Sequence, residues 1–289
     1  MAKTYDAVAC NDQGSFTTLV LQEVLPVGVS SCTTKAWAKF LGGVKTFNLS
    51  PRIYNNTACW WCTRTSPHAS PYVPSIEVAL IEHVDILFRN LTSVTDFRFT
   101  ADYCAIGRNN YDCLALNANH MPLLQTLDLE RCLIAEGLAT FISSHSQTLR
   151  RIKLTDCFSG AVCPDESPSA GGDIAWADFF DILSDGFLSV EKATFVEFCI
   201  SSTTLGDEHC ITHIVDCKPV QVNTENFELA QRLLENEPHR RLFAHEYMSS
   251  KYINSERNGD QDLNSLLQGR DQAAFDRLMA VTKRQVEIR

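Results

Sequence analysis

Residues 124–132 read L-Q-T-L-D-L-E-R-C, and residues 149–157 read L-R-R-I-K-L-T-D-C. Leu124, Leu127, Leu129 and Cys132 in the first stretch each recur 25 residues later, as Leu149, Ile152, Leu154 and Cys157. Four matched positions at one offset rarely arise by chance. The form L-x-x-L-x-L-x-x-C at a period between 20 and 29 is that of a leucine-rich repeat. Each unit of such an array is a strand, a turn and a helix. Alone it cannot bury its apolar face, so it stacks on its neighbours. The expected fold class is therefore α/β, a leucine-rich-repeat-like solenoid of irregular strand–helix units with a period of about 25 and a helical C-terminal cap.

The same three- and two-residue spacings extend outward from this pair. Upstream they fall on Val44, Phe47 and Leu49, then on Val94, Phe97 and Phe99. Downstream they are read on Val190, Ala193 and Phe195, which sets Phe198 at the cysteine position. Between Cys157 and that last unit lies V-C-P-D-E-S-P-S-A-G-G-D, residues 162–173, an insertion with loop chemistry. Apolar spacing predicts helices between the strands. One runs over 75–91, with Leu80, Val84, Leu87, Phe88 and Leu91 on one stripe and Ser75 as N-cap. A second covers 134–145 through Ile134, Leu138, Phe141 and Ile142. A third covers 174–187 through Trp176, Phe179, Phe180, Leu183 and Phe187, with Asp173 as N-cap.

Three segments follow. Residues 1–35 hold an apolar run from Phe16 to Val27, either a strand leading into the array or a cap on its first unit. Residues 36–218 form the array, with one more strand expected near Ile211–Val215. Residues 219–289 are charged and helical, with helices expected at Glu225–Glu235, at Asp262–Gln268 with Gly269 as its stop, and from Asp271 as N-cap through Phe275, Leu278, Met279 and Val286. This last region is expected to cover the open end of the array.

Composition narrows the function. With 25 Lys and Arg against 35 Asp and Glu, the net charge is −10, the wrong sign for the basic footprint of a nucleic-acid binder or for an anionic membrane surface. The first residues lack the charged head and apolar core of a secretory signal, and no apolar run is long enough to span a bilayer. The 12 cysteines then read as reduced thiols in an intracellular, cytoplasmic or nuclear protein. Cys132 and Cys157 act among them as small core residues.

The runs M-P-L-L-Q-T-L-D-L-E-R-C-L-I, H-S-Q-T-L-R-R-I-K-L-T-D-C and I-A-W-A-D-F-F-D-I-L-S resemble the C-terminal part of fungal F-box proteins. So do R-R-L-F-A-H-E-Y-M-S-S-K-Y-I and L-L-Q-G-R-D-Q-A-A-F-D-R-L-M, together with V-K-T-F-N-L-S and L-T-S-V-T-D-F-R-F nearer the N-terminus. The resemblance spans roughly residues 36–284. It implies a non-enzymatic module that recognises the target protein of a Skp–cullin–F-box ubiquitin ligase. The V-L-P-V-G-V-S of residues 24–30 is followed by no F-box-type helix, so binding to the adaptor of the Skp–cullin complex is expected only if an F-box lies upstream. A degenerate family copy with no binding function is the alternative.

Candidate chemistry is sparse. Cys59-Trp-Trp-Cys62 has the C-x-x-C form, but only His68 stands near it as a further ligand. His209, Cys210, His213 and Cys217 are dense, yet on a strand His209 and Cys210 point to opposite faces. Both clusters read first as structural, with metal or redox chemistry as the lesser alternative. Asp260 and Asp262 resemble half a calcium loop without its Gly and terminal Glu. No nucleophile elbow, phosphate loop, dinucleotide fingerprint or zincin motif occurs, and no cofactor or metal site is expected. What remains is the row between the leucines. Asn48, Arg98, Asp128, Lys153 and Thr194, flanked by Asp96, Glu130 and Arg151, are expected on the concave side of the array as a mixed-charge, protein-binding ridge.

Overall fold

The computed structural model describes residues 16–24, 33–51, 86–100, 116–161, 174–189, 197–200, 224–248, 255–257 and 259–287. The chain is a mixed α/β protein built on a six-stranded, all-parallel sheet. Its strands are β1 (Thr18–Val24), β2 (Thr46–Pro51), β3 (Asp96–Thr100), β4 (Thr126–Glu130), β6 (Arg151–Thr155) and β8 (Glu197–Ile200), in that spatial order. A second sheet contains β5 (Leu133–Ile134), β7 (Phe158–Ala161) and β9 (Ala244–Met248) in parallel, with β10 (Ser255–Arg257) antiparallel to β9 at one edge.

Residues matched at the 25-residue offset are neighbours in register. Leu127 faces Ile152, and Leu129 faces Leu154. Phe97 and Phe99 extend the same rows on β3, and Phe47 and Leu49 extend them on β2. Side chains alternate across a strand, so each of these strands sends two apolar residues to one face. All eight are buried, as are Val44, Val94, Leu124 and Leu149 just before the strands. Each fully buried large apolar side chain of this layer contributes roughly 1.5–3 kcal/mol. Phe47 and Phe97 stack within it at a centroid distance of 5.9 Å.

The last strand of the large sheet is out of the expected phase. Phe198 pairs with Ile152 and Ile200 with Leu154, so Phe198 occupies the first apolar position of its strand rather than the cysteine position. The row that the spacing assigned to Ala193 and Phe195 is filled five residues later. The L-x-L signature alone could not tell these two phases apart, because F-C-I satisfies it as well as A-T-F does.

Strands β4 and β6 each lead into the second sheet through one corner. Arg131 (φ 57°) and Asp156 (φ 50°) adopt the left-handed conformation, which turns the chain so that Cys132 and Cys157 point inward. Arg131 N–H donates to Thr155 O at 2.8 Å, and Phe158 N–H donates to Cys132 O at 3.1 Å. The thiols are free and buried. Cys132 donates to Glu130 O at 3.4 Å, while Cys157 lies 3.6 Å from both Leu129 O and Thr155 O. Ile134, expected in a helix, belongs to β5 of the second sheet.

Helices cover the apolar side. α1 (Lys35–Gly43) is capped by Thr34, whose hydroxyl accepts Trp37 N–H at 3.2 Å. Residues 86–89 are helical, and Leu87, Phe88 and Leu91 are buried; Leu80, Val84 and Ser75 of the expected stripe lie outside the described residues. α2 (Glu136–Ser144) and α3 (Trp176–Leu188) follow, burying Leu138, Phe141 and Ile142, and Trp176, Phe179, Phe180, Leu183 and Phe187. Asp173 lies outside the described residues, and the residue flanking α3 is Ala175, which makes no side-chain cap. The expected strand at 211–215 also lies outside.

The C-terminal region adds α4 (Thr224–Asn236), α5 (Gly259–Gln268) and α6 (Arg270–Glu287). Gly269, at φ 70°, supplies the left-handed link between α5 and α6. α6 packs along α3, where Arg270 and Arg277 each reach a carboxylate, Asp178 and Asp181, at 2.6 Å. Trp176 and Phe180 of α3 meet Phe243 just before β9, each at a centroid distance of 5.4 Å, and Phe180 meets Phe275 of α6 at 5.3 Å. No helix among the described residues is long and apolar enough to cross a membrane.

Candidate functional site

The alternation that buries Phe97, Leu127 and Ile152 forces the residues between them onto the opposite face of the sheet. In register these are Val20 on β1, Asn48 on β2, Arg98 on β3, Asp128 on β4, Lys153 on β6 and Cys199 on β8. Four of the five residues expected in this row are therefore neighbours on adjacent strands. The fifth, Thr194, lies outside the described residues, and because of the phase slip Cys199 stands beside Lys153 in its place. Asp96, Thr126, Arg151 and Glu197 form the row on one side, and Thr100, Glu130 and Thr155 the row on the other.

The charges on this face hold one another. Arg98 Nη2 donates to Glu130 Oε2 at 2.9 Å, and its Nε lies 3.8 Å from Asp128 Oδ2. Lys153 Nζ approaches the same Asp128 oxygen from the other side at 3.8 Å. Thr100 donates its hydroxyl to Glu130 Oε2 at 3.3 Å. Arg151 Nε and Glu197 Oε2 are 3.6 Å apart, and Asp96 accepts the hydroxyl of Thr95 at 2.8 Å. Burial alone would raise the Glu130 pKa. The hydrogen bonds from Arg98 and Thr100 and the positive charges of Arg98 and Arg131 outweigh it and hold the carboxyl below its ordinary range.

Height separates the two signs at the centre of the lattice, whereas Glu197 on the edge strand is 56% exposed, much like its partner Arg151. The side chains of Asp128 and Glu130 are 21% exposed, whereas those of Arg98, Lys153 and Arg151 are 49%, 42% and 52% exposed. The two carboxylates form a floor, and the cationic heads stand above it with donors left over. Half-exposed pairs of this kind contribute about 0.2–1 kcal/mol each. Their effect is to fix where donors and acceptors sit rather than to hold the fold together.

No protein-family model, curated protein or solved structure matches this chain.

A second concentration of polar groups lies beneath the C-terminal helices, where Asp262 and Asp271, read separately and in other roles from the sequence, meet His245. His245 of β9 is 2% exposed. Its Nδ1 lies 3.1 Å from Asp262 Oδ1 of α5, and its Nε2 lies 3.4 Å from Asp271 Oδ2 of α6. Asp262 also accepts the backbone N–H of His245 at 2.6 Å, and Ser265 donates its hydroxyl to Asp271. Asp271 Oδ1 accepts Ala177 N–H at 2.9 Å. Asp271 was expected to cap its own helix. It sits instead in the first turn of α6 and supplies the cap that Ala175 cannot give to α3. Burial by itself pushes the imidazole pKa down, but the hydrogen bonds and charges of Asp262 and Asp271 dominate and raise it to about 9. Burial pushes Asp271 up, and its bonds to His245, Ser265 and Ala177 bring it below its ordinary value. Ser, His and Asp here lie in one network, yet His245, Asp262 and Asp271 are buried, and the hydroxyl of the partly buried Ser265 is spent on a carboxylate rather than on the imidazole. The geometry is that of a clamp joining β9, α5, α6 and the start of α3.

Cys59, Cys62, His68, His209, Cys210, His213 and Cys217 all lie outside the described residues. The side chain of Asp260 does too, while Asp262 belongs to the clamp.

Proposed function

We propose that this chain is a non-enzymatic protein-interaction module, a leucine-rich-repeat-like array whose open sheet face holds a protein target. The observation that carries the reading is the ionic lattice of Arg98, Asp128, Glu130 and Lys153. It places alternating charge at fixed strand spacing on the face of the six-stranded sheet opposite its buried apolar rows. Mixed-sign surfaces of this kind select a partner by matching potential and reject wrong ones by like-charge contact. Support for the repeat reading comes from strands that follow one another in chain order and from the paired corners at Cys132 and Cys157.

The resemblance to the target-recognition part of fungal F-box proteins makes the target a protein delivered for ubiquitination in the cytoplasm or nucleus. The Skp–cullin adaptor would be a partner only through an F-box upstream. The test is a comparative affinity capture with the full chain and an Arg98→Glu, Lys153→Glu variant of equal thermal stability. A target retained by the parent and lost by the variant supports the reading. A set of captured proteins unchanged by the double reversal overturns it.

A further inference from the structure

β1 is an edge of the six-stranded sheet, and no described strand pairs with its outer side. Edge strands are ordinarily shielded by charge, proline or a bulge; β1 carries a charge at Glu23 and a register shift between Gln22 and Val24, both at its C-terminal end, and its first five residues, Thr18–Gln22, T-L-V-L-Q, carry neither. Its side chains are also incompletely covered. Leu19 and Leu21 extend the rows of Phe47 and Leu49 but remain only partly buried, and Val20, on the open face, is 47% exposed. Among the described residues, the apolar rows thus reach the edge without being closed there.

From these features we infer that β1 pairs with β1 of a second copy of this chain, antiparallel and centred on Val20, joining two sheets into one.

The strand is self-complementary in that register. A two-fold axis at Val20 sets Val20 against Val20, Leu19 against Leu21 and Thr18 against Gln22. Apolar residues meet apolar ones on the core side, and polar residues meet across the open face. The backbone agrees. Thr17 O accepts N–H groups from Lys45 and Thr46 at 2.7 and 2.9 Å, so the odd-numbered residues of this stretch turn their polar groups toward β2. Those of Thr18, Val20 and Gln22 therefore point outward, and Val20 with its copy becomes a hydrogen-bonded pair with Cα atoms about 5.5 Å apart. Closed two-fold pairing is also the commonest assembly of identical chains. Opposed like charges destabilise such a pair, and opposed unlike charges stabilise it.

Val20 shares the open face with the proposed target-binding lattice but stands two strands from Arg98; sedimentation reads the pairing and affinity capture reads the lattice, so either reading can fail alone. The test uses sedimentation velocity on the full chain, with circular dichroism to check that each variant folds. The parent chain is expected to sediment as a concentration-dependent dimer. Val20→Lys and Val20→Glu, each at a solvent-exposed position, are expected to be folded single chains. An equimolar mixture of the two should return to the dimer, because only a two-fold register centred on residue 20 sets the new lysine opposite the new glutamate. A parent that stays single across its soluble range overturns the inference, as does a dimer that persists in both variants. Failure of the mixture to re-form a dimer overturns it too.

Discussion

The clamp around His245 makes a quantitative prediction about pH. In the folded chain the imidazole is held at about 9 against an ordinary 6.5, a difference worth about 3 kcal/mol at 1.36 kcal/mol per pKa unit. The folded value is the higher one, so this contribution is complete below pH 6.5 and is lost as pH rises through 9. Asp271 has the opposite sense. Its depressed pKa contributes above the ordinary 3.8 and is lost as pH falls below that. The imidazolium and the carboxylate describe one shared interaction, so the energy is counted once. The clamp is therefore strongest between about pH 4 and 6.5.

Urea denaturation of the parent and of His245→Gln, from pH 6 to 10, checks this. Thiols that ionise in the unfolded chain weaken both proteins alike, so the difference between the two curves isolates the imidazole. Near pH 6 the variant should be less stable by about 3 kcal/mol, since it leaves two buried carboxylates without their cation. By pH 10 most of that difference should vanish, because the parent has lost the same charge. A difference that stays constant across the range would refute the charge assignment and leave His245 as a packing residue only.

Two further outcomes follow from backbone and packing. A methyl group on Gly186 of α3 would come within 2.5 Å of Ser143 Cβ on α2, so Gly186→Ala should cost about 1–3 kcal/mol in a thermal or urea melt, and Ser143→Gly should restore most of it. Arg131 holds φ 57°, a conformation that costs a non-glycine residue roughly 1–2 kcal/mol. Arg131→Gly should therefore be neutral or raise stability by up to about 1 kcal/mol in the same melts, the gain being trimmed by the freer unfolded backbone.

The central rows of this molecule are readable because they rest on alternation, a local property. Leu127 and Leu129 point inward for the same reason that Asp128 points outward, and that reasoning assigns Asn48, Arg98, Asp128 and Lys153 to adjacent strands without knowledge of their partners. It fails where two phases satisfy the pattern equally. Phe195 and Phe198 are both plausible core residues, and only pairing with β6 selects the second. The short strand β5 escapes because Ile134 continues the stripe of the helix that follows it. The clamp escapes for a different reason. Asp262 and Asp271 have local readings as a half calcium loop and an N-cap, nothing in the sequence ties them to His245, and the capping of α3 by Asp271 spans 94 residues. Its one local hint is a histidine in the apolar run L-F-A-H-E-Y-M.

That separation has a consequence for how the molecule assembles. Contacts between β4 and β6 close short loops, and the 25-residue offset lets neighbouring strands find each other early. Docking α6 on α3 closes a loop of 94 residues, an entropic penalty of about 4 kcal/mol on the logarithmic scale for flexible chains. The core strands should thus form first and wait for their C-terminal partner. Until it arrives, the aromatic surface of Phe180 that Phe275 covers in the folded chain stands open to water.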